Sequence, residues 1–170
     1  MQSRSKRIAY AGLLTTVGIL FGYLENLIVI PIKIPGIKIG ISNVVTVVSM
    51  YILGPSISLG VLIARVLLSA LLFGSGISML YSLSGALISF IFMYIVYRKD
   101  VFSIVGVSVI GGTTHNIAQL LVAVMMLYNG MLLYYIPALL LAGVGAGLIV
   151  GFLSKEVTKR LQYMTENRKG

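Results

Sequence analysis

Long apolar runs, broken by Gly, Pro, Asn and small charged clusters, make up most of this 170-residue chain. The runs far exceed the four to eight residues of a strand, so they predict helices. Helix 1 is read as Ser5–Leu24 and helix 2 as Ile39–Leu53. Gly54-Pro55 starts helix 3, Ser56–Phe73, and Gly74-Ser75-Gly76 precedes helix 4, Ile77–Tyr97. Arg98-Lys99-Asp100 leads to helix 5, Phe102–Leu127, and Asn129-Gly130 turns into helix 6, Met131–Lys155. A membrane-spanning helix needs about 20 apolar residues, so six use about 120 and leave about fifty for loops and tails. The expectation is an all-α integral membrane protein, a bundle of six transmembrane helices. The membrane domain covers residues 1–155, and residues 156–170 form a polar C-terminal tail, expected to extend helix 6 before fraying into disorder.

Composition supports this reading. Hydrophobic residues make up 58% of the chain and charged residues 10%, with a mean hydropathy of +1.03. Soluble domains carry about 25% charged residues. The net charge of +9 would suit nucleic acid, but the basic residues flank apolar spans and form no continuous basic face. With the N-terminus inside, ten basic residues fall in inside segments (Arg4, Lys6, Arg7, Arg98, Lys99, Lys155, Lys159, Arg160, Arg168, Lys169) and two outside, Lys33 and Lys38. That asymmetry places both termini in the cytoplasm and requires an even number of spans. A multi-pass protein of the cell membrane is expected, with lipid around it and no nucleic-acid partner. Basic residues before an apolar run also resemble a signal peptide. The run Ile8–Leu24 is long and no small-x-small cleavage site follows it, so an uncleaved first helix is expected.

Small residues recur at helical spacing. Gly143, Gly147 and Gly151 form a doubled small-xxx-small pattern on helix 6, which lets another helix approach closely. Helix 1 carries Ala11, Thr15, Gly18 and Gly22 in a narrow stripe. This stripe either packs within the bundle or is a docking face for a second membrane protein. Ser78, Ser82, Ala86 and Ser89 on helix 4 suit ordinary helix packing.

Polar residues inside spans are the candidates for chemistry. An ionised side chain at a helix centre costs about 2.5–3.5 kcal/mol on insertion scales. Arg65 lies about ten residues, or about 15 Å, into helix 3 and must face the interior. Glu25 is the acidic residue nearest it in the outer half, so Arg65 either pairs with Glu25 or meets a ligand. On helix 5, His115 and Gln119 share a face and Asn116 lies about 100° around. These three are candidate substrate contacts. The connection Glu25–Lys38 is apolar but broken by Pro31, Pro35 and Gly36. Irregular backbone at membrane depth needs protein or a water-filled cavity beside it, so a re-entrant loop or lid is expected. Lys33, Lys38 and Asn43 would sit at its mouth; the alternative is an interfacial loop with snorkelling lysines. No cysteine is present, His115 is the single histidine, and the four acidic residues are Glu25, Asp100, Glu156 and Glu166. No nucleophile–base pair and no cofactor site follows from such a set.

Four segments carry a resemblance to a known family: Pro35-Gly-Ile-Lys-Ile-Gly-Ile-Ser-Asn43, Arg65-Val-Leu-Leu-Ser69, Tyr81-Ser-Leu-Ser-Gly85 and His115-Asn-Ile-Ala-Gln119. Over about residues 8–153 the chain resembles the Gx transporters, also described as heptaprenyl diphosphate synthase component I. That family is similar to substrate-binding S components of energy-coupling factor (ECF) transporters. The resemblance implies capture of a small molecule at the outer side. It also implies docking on a membrane scaffold subunit with two cytoplasmic ATPases, through helix 1. The nearest match to an Ala-x-x-x-Ala docking motif is Ala11-x-x-x-Thr15. The chain has no G-x-x-x-x-G-K-[ST] loop, so ATP hydrolysis would belong to the partners. Prenyl diphosphate synthesis needs magnesium held by clustered aspartates, and this chain has Asp100 alone. A synthase role would therefore be that of a non-catalytic membrane partner.

Overall fold

The computed structural model describes residues 4–27, 40–74 and 76–167. In chain order these form α1 (Arg4–Leu27), α2 (Asn43–Ile52), α3 (Pro55–Phe73), α4 (Gly76–Arg98), α5 (Ile104–Leu127), a 3-10 turn (Gly130–Tyr135) and α6 (Ile136–Asn167). No strand occurs among the described residues. Five of the helices are long and apolar enough to cross a membrane. The exception is α2, whose ten residues give about 15 Å, half of a hydrocarbon core of about 30 Å.

Two helix starts differ from the sequence reading by several residues: helix 6 begins at Ile136, after the 3-10 turn Gly130–Tyr135, and helix 2 also begins late. Helix 2 starts at Asn43, because Gly40 turns the chain at φ +75° and the first amides bond in a tight turn, Asn43 N–H to Gly40 C=O at 2.8 Å. The expected start, Ile39, lies outside the described residues, as do Lys33, Lys38 and the proline-broken connection before it. α6 runs on past Lys155 into the polar tail, to Asn167. Its inner face keeps packing across Lys155, with Ser154 and Thr158 buried and Leu161 against the core. Glu156 and Arg160, one turn apart, form an ion pair at 2.7 Å on the open face.

Hydropathy is inverted relative to a water-soluble bundle. Leu71, Leu141 and Ile8 are 77%, 76% and 66% exposed, whereas Arg65, Asn116, Gln119 and Thr46 are buried. An apolar exterior around polar interior groups is what a lipid surround favours. The core is built from Val44, Val47, Val48, Leu62, Phe90 and Val107, among others. The buried hydroxyls of Ser49, Ser58, Ser89 and Ser108 bond to backbone carbonyls; Ser89 reaches from α4 to Gly111 C=O on α5 at 2.9 Å. Helices α3, α4, α5, α6 and α2 follow one another around the bundle, and α1 packs on α2 and α3.

The glycines of α6 are spent inside the chain. A methyl group built on Gly143 would lie 2.8 Å from Thr113 Cα, one on Gly147 2.5 Å from Val109 Cα, and one on Gly151 2.7 Å from Val105 Cα. Each four-residue step along α6 therefore meets a four-residue step back along α5, an antiparallel seam with backbones in contact. Asn116 continues the seam, donating from Nδ2 to Leu139 C=O at 3.1 Å. Gly145, on the same helix, faces open space. We expect Gly147→Ala to destabilise the bundle by about 1–3 kcal/mol through overpacking. Gly145→Ala should be neutral or stabilising, since alanine favours the helix by about 1 kcal/mol. Unfolding midpoints of the two variants in the same detergent check the contrast.

Candidate functional site

The short helix α2 determines where the polar groups meet. A helix end leaves unbonded amides or carbonyls, and at membrane depth no bulk water satisfies them. Helix α1 supplies charged partners at both ends of α2. At the N-terminal end Glu25 accepts from Ile41 N–H and from Ser42 Oγ at 3.0 Å. At the C-terminal end Arg7 Nη2 donates to Leu53 C=O at 2.7 Å. Each charge has the sign that complements the helix dipole at its end.

That placement sets Asn43, the first residue of α2, level with Arg65 on α3. Arg65 Nη2 donates to Asn43 Oδ1 at 3.2 Å. Arginine has no acceptor, so the Asn43 atom facing it is the carbonyl oxygen and its amide nitrogen is left as a donor. Arg65 is 6% exposed, and its Nε is buried with no hydrogen-bond partner among the described residues. Its aliphatic stem lies on α1 at Gly18, where any Cβ would collide with Arg65 Cδ. One turn on, Gly22 faces Ser69 Oγ, and Tyr23 packs on Phe73 with ring centroids 4.7 Å apart.

Of the two readings of Arg65, a direct salt bridge to Glu25 is not seen, because the Glu25 carboxylate accepts at the N-terminal end of α2. The helix 1 stripe also needs correction as a docking face. Gly18 and Gly22 face α3 within the chain. Thr15 Oγ1 bonds to Ala11 C=O at 2.8 Å, and both residues are half-buried. Sequence spacing identified a close helix approach, but its partner is the chain's own Arg65.

Arg65, Asn43 and Glu25 line an internal cavity of about 90 Å³ together with His115 and Asn116. A single water needs about 10–15 Å³ on this measure, so several waters or a small polar molecule would fit. Its walls continue down α4, α5 and α6 through Ser82, Ser89, Ser108 and Gly147. His115 and Gln119 both lie against Gly85, where a Cβ would come within 2.7 Å of Gln119 Cγ and 3.1 Å of His115 Cε1. Gln119 is buried behind the cavity wall, and its Oε1 has no partner among the described residues. Asn116 lines the cavity while its amide is held by α6. Lys38 lies outside the described residues. Sequence reasoning missed Ser42, Ser69 and Gly85; the small residues in Ser69 and Gly85 were visible in the quoted segments but gave no sign of what they face. No group of three His, Cys, Asp or Glu side chains that could hold a metal occurs among the described residues.

If Gly18 is the bed of Arg65, Gly18→Ala must push the guanidinium stem aside. We expect the variant to fold with a midpoint within a few degrees of wild type, because a flexible side chain yields. The same variant should lose at least tenfold in affinity for any anion held by Arg65, as measured by equilibrium binding.

No curated protein matches the chain, and no solved structure does. A family model does match, over residues 14–157, nearly the whole helical bundle. The chain therefore belongs to the family described as heptaprenyl diphosphate synthase component I.

Proposed function

We propose that this chain is the membrane-embedded substrate-binding subunit of an uptake transporter of the ECF type, in the manner of an S component. The observation that carries the reading is the polar cavity with a buried guanidinium that, among the described residues, hydrogen-bonds to Asn43 and to no carboxylate. A buried charge of this kind is costly in lipid and is retained where a ligand uses it. Arg65, Asn43, His115, Asn116 and Gln119 form the binding region, with Glu25 fixing α2 and Lys38 near the mouth. In this reading the membrane is the cell membrane, both termini are cytoplasmic, and the segment before α2 faces outside. The chain itself is not catalytic and needs no cofactor. A transmembrane scaffold subunit and two cytoplasmic ATPases supply the driving force, because the sequence has no phosphate-binding loop for ATP.

The family description includes a diphosphate synthase, whose magnesium chemistry needs several carboxylates at one place. Glu25 is the carboxylate in the cavity, and it already accepts two hydrogen bonds. These residues do not fit that metal, and no catalytic step is assigned to it. A thermal-shift screen of the purified protein against vitamins and prenyl diphosphates tests the proposal. A ligand at a hundred times its Kd should stabilise the fold by about 2.7 kcal/mol. If no small molecule stabilises the chain and it instead activates a separate soluble synthase, the accessory role replaces the transport role.

A further inference from the structure

We infer that the cavity selects a small monoanion bearing one carboxylate, and rejects phosphate esters and diphosphates. This rests on the substrate-binding reading above and names the chemistry of its ligand. Two observations carry it, and they concern different groups.

The first is a pole of hydrogen-bond donors. Arg65 gives one N–H to Asn43 Oδ1, and its Nε–H is buried without a partner among the described residues. Nη2, the terminal nitrogen on the Nε–H side, gives one N–H to Asn43, so its second N–H and the Nε–H are the donors left on that edge for the two oxygens of a carboxylate. The Asn43 amide, whose oxygen is committed to Arg65, adds a third donor beside that edge. Gly18 holds the stem from behind, so the edge is fixed before a ligand arrives.

The second observation is the charge count around the cavity. Among the described lining residues Arg65 is the one cation, and Glu25 is the one anion. Glu25 is directed to the N-terminal end of α2, not to Arg65. The two lining charges offset one another, so what Arg65 offers a ligand carboxylate is the N–H groups that Asn43 leaves unused. A second charge would find no cation among these residues and would meet the Glu25 carboxylate in a low-dielectric interior, where like charges repel strongly. The hydroxyls of Ser42, Ser89 and Ser108 already donate within the chain. These three hydroxyls therefore have no further hydrogen to donate to a second anionic end.

Three fluorinated probes of matched small size separate these possibilities by fluorine NMR on the full chain in lipid nanodiscs. They are trifluoroacetate (one charge), trifluoroacetamide (no charge) and monofluorophosphate (two charges near neutral pH). The expected result is saturable broadening of the trifluoroacetate line, with at least tenfold weaker binding of the other two. Arg65→Met should abolish the broadening. Asn43→Asp provides a second route that keeps the arginine: it places a carboxylate on Arg65, so it should also abolish binding while the fold gains an internal ion pair. Monofluorophosphate binding as tightly as trifluoroacetate would overturn the inference. So would no saturable broadening of trifluoroacetate, or broadening that survives both variants. If trifluoroacetamide binds in the cavity and the carboxylate does not, the monoanion inference fails while a substrate-binding role stands.

Discussion

A ten-residue helix among helices of 19 to 32 residues leaves backbone groups at both of its ends with no partner in their own helix. Satisfying those groups is the constraint on which the rest of the site depends. Helix α1 does so with Glu25 at one end of α2 and Arg7 at the other. Placed against a helix end, each offsets an unmade hydrogen bond and an opposing dipole together. The same two contacts fix α1 alongside α2 and set the height at which α2 begins.

The site follows from that height. Asn43 opens α2 level with the middle of α3, so its side chain meets Arg65. Gly18 brings α1 close enough to support the arginine stem. Across the cavity, the glycine seam between α5 and α6 draws these helices together at backbone contact, and Asn116 ties its upper part. The result is a rigid far wall and a near wall made of a short helix and a peripheral one. A buried cation is thus held by one neutral hydrogen bond and by packing, with no counter-charge bonded to it.

Much of this organisation was legible in the sequence. Apolar run length gave the helices, because lipid exposure allows few polar interruptions, and the Gly143-Gly147-Gly151 spacing pointed to a close helix seam. Arg65, Asn43, His115 and Asn116 were singled out as polar groups with no place in lipid, and they line one cavity. The failures have a common cause, which is that a side chain's partner is set by tertiary placement. Glu25 was matched with Arg65 on charge alone, while the amide it serves lies 16 residues away at a helix start that the Pro31–Gly40 stretch obscured. The stripe on helix 1 carried the correct distance information and no information on which helix it faced.

The central claim is that Arg65 serves a ligand and not the fold, and its stability cost measures that directly. Removing one partner of a buried structural ion pair typically costs about 3–5 kcal/mol. Replacing Arg65 with methionine removes a charge that the bundle does not pair and keeps much of the apolar length. Equilibrium unfolding of the ligand-free protein and of Arg65→Met in the same detergent gives the comparison. The account predicts a variant within about 1 kcal/mol of wild type, the size of one neutral hydrogen bond, or more stable than it. A loss of about 3 kcal/mol or more would contradict it and make Arg65 a structural residue.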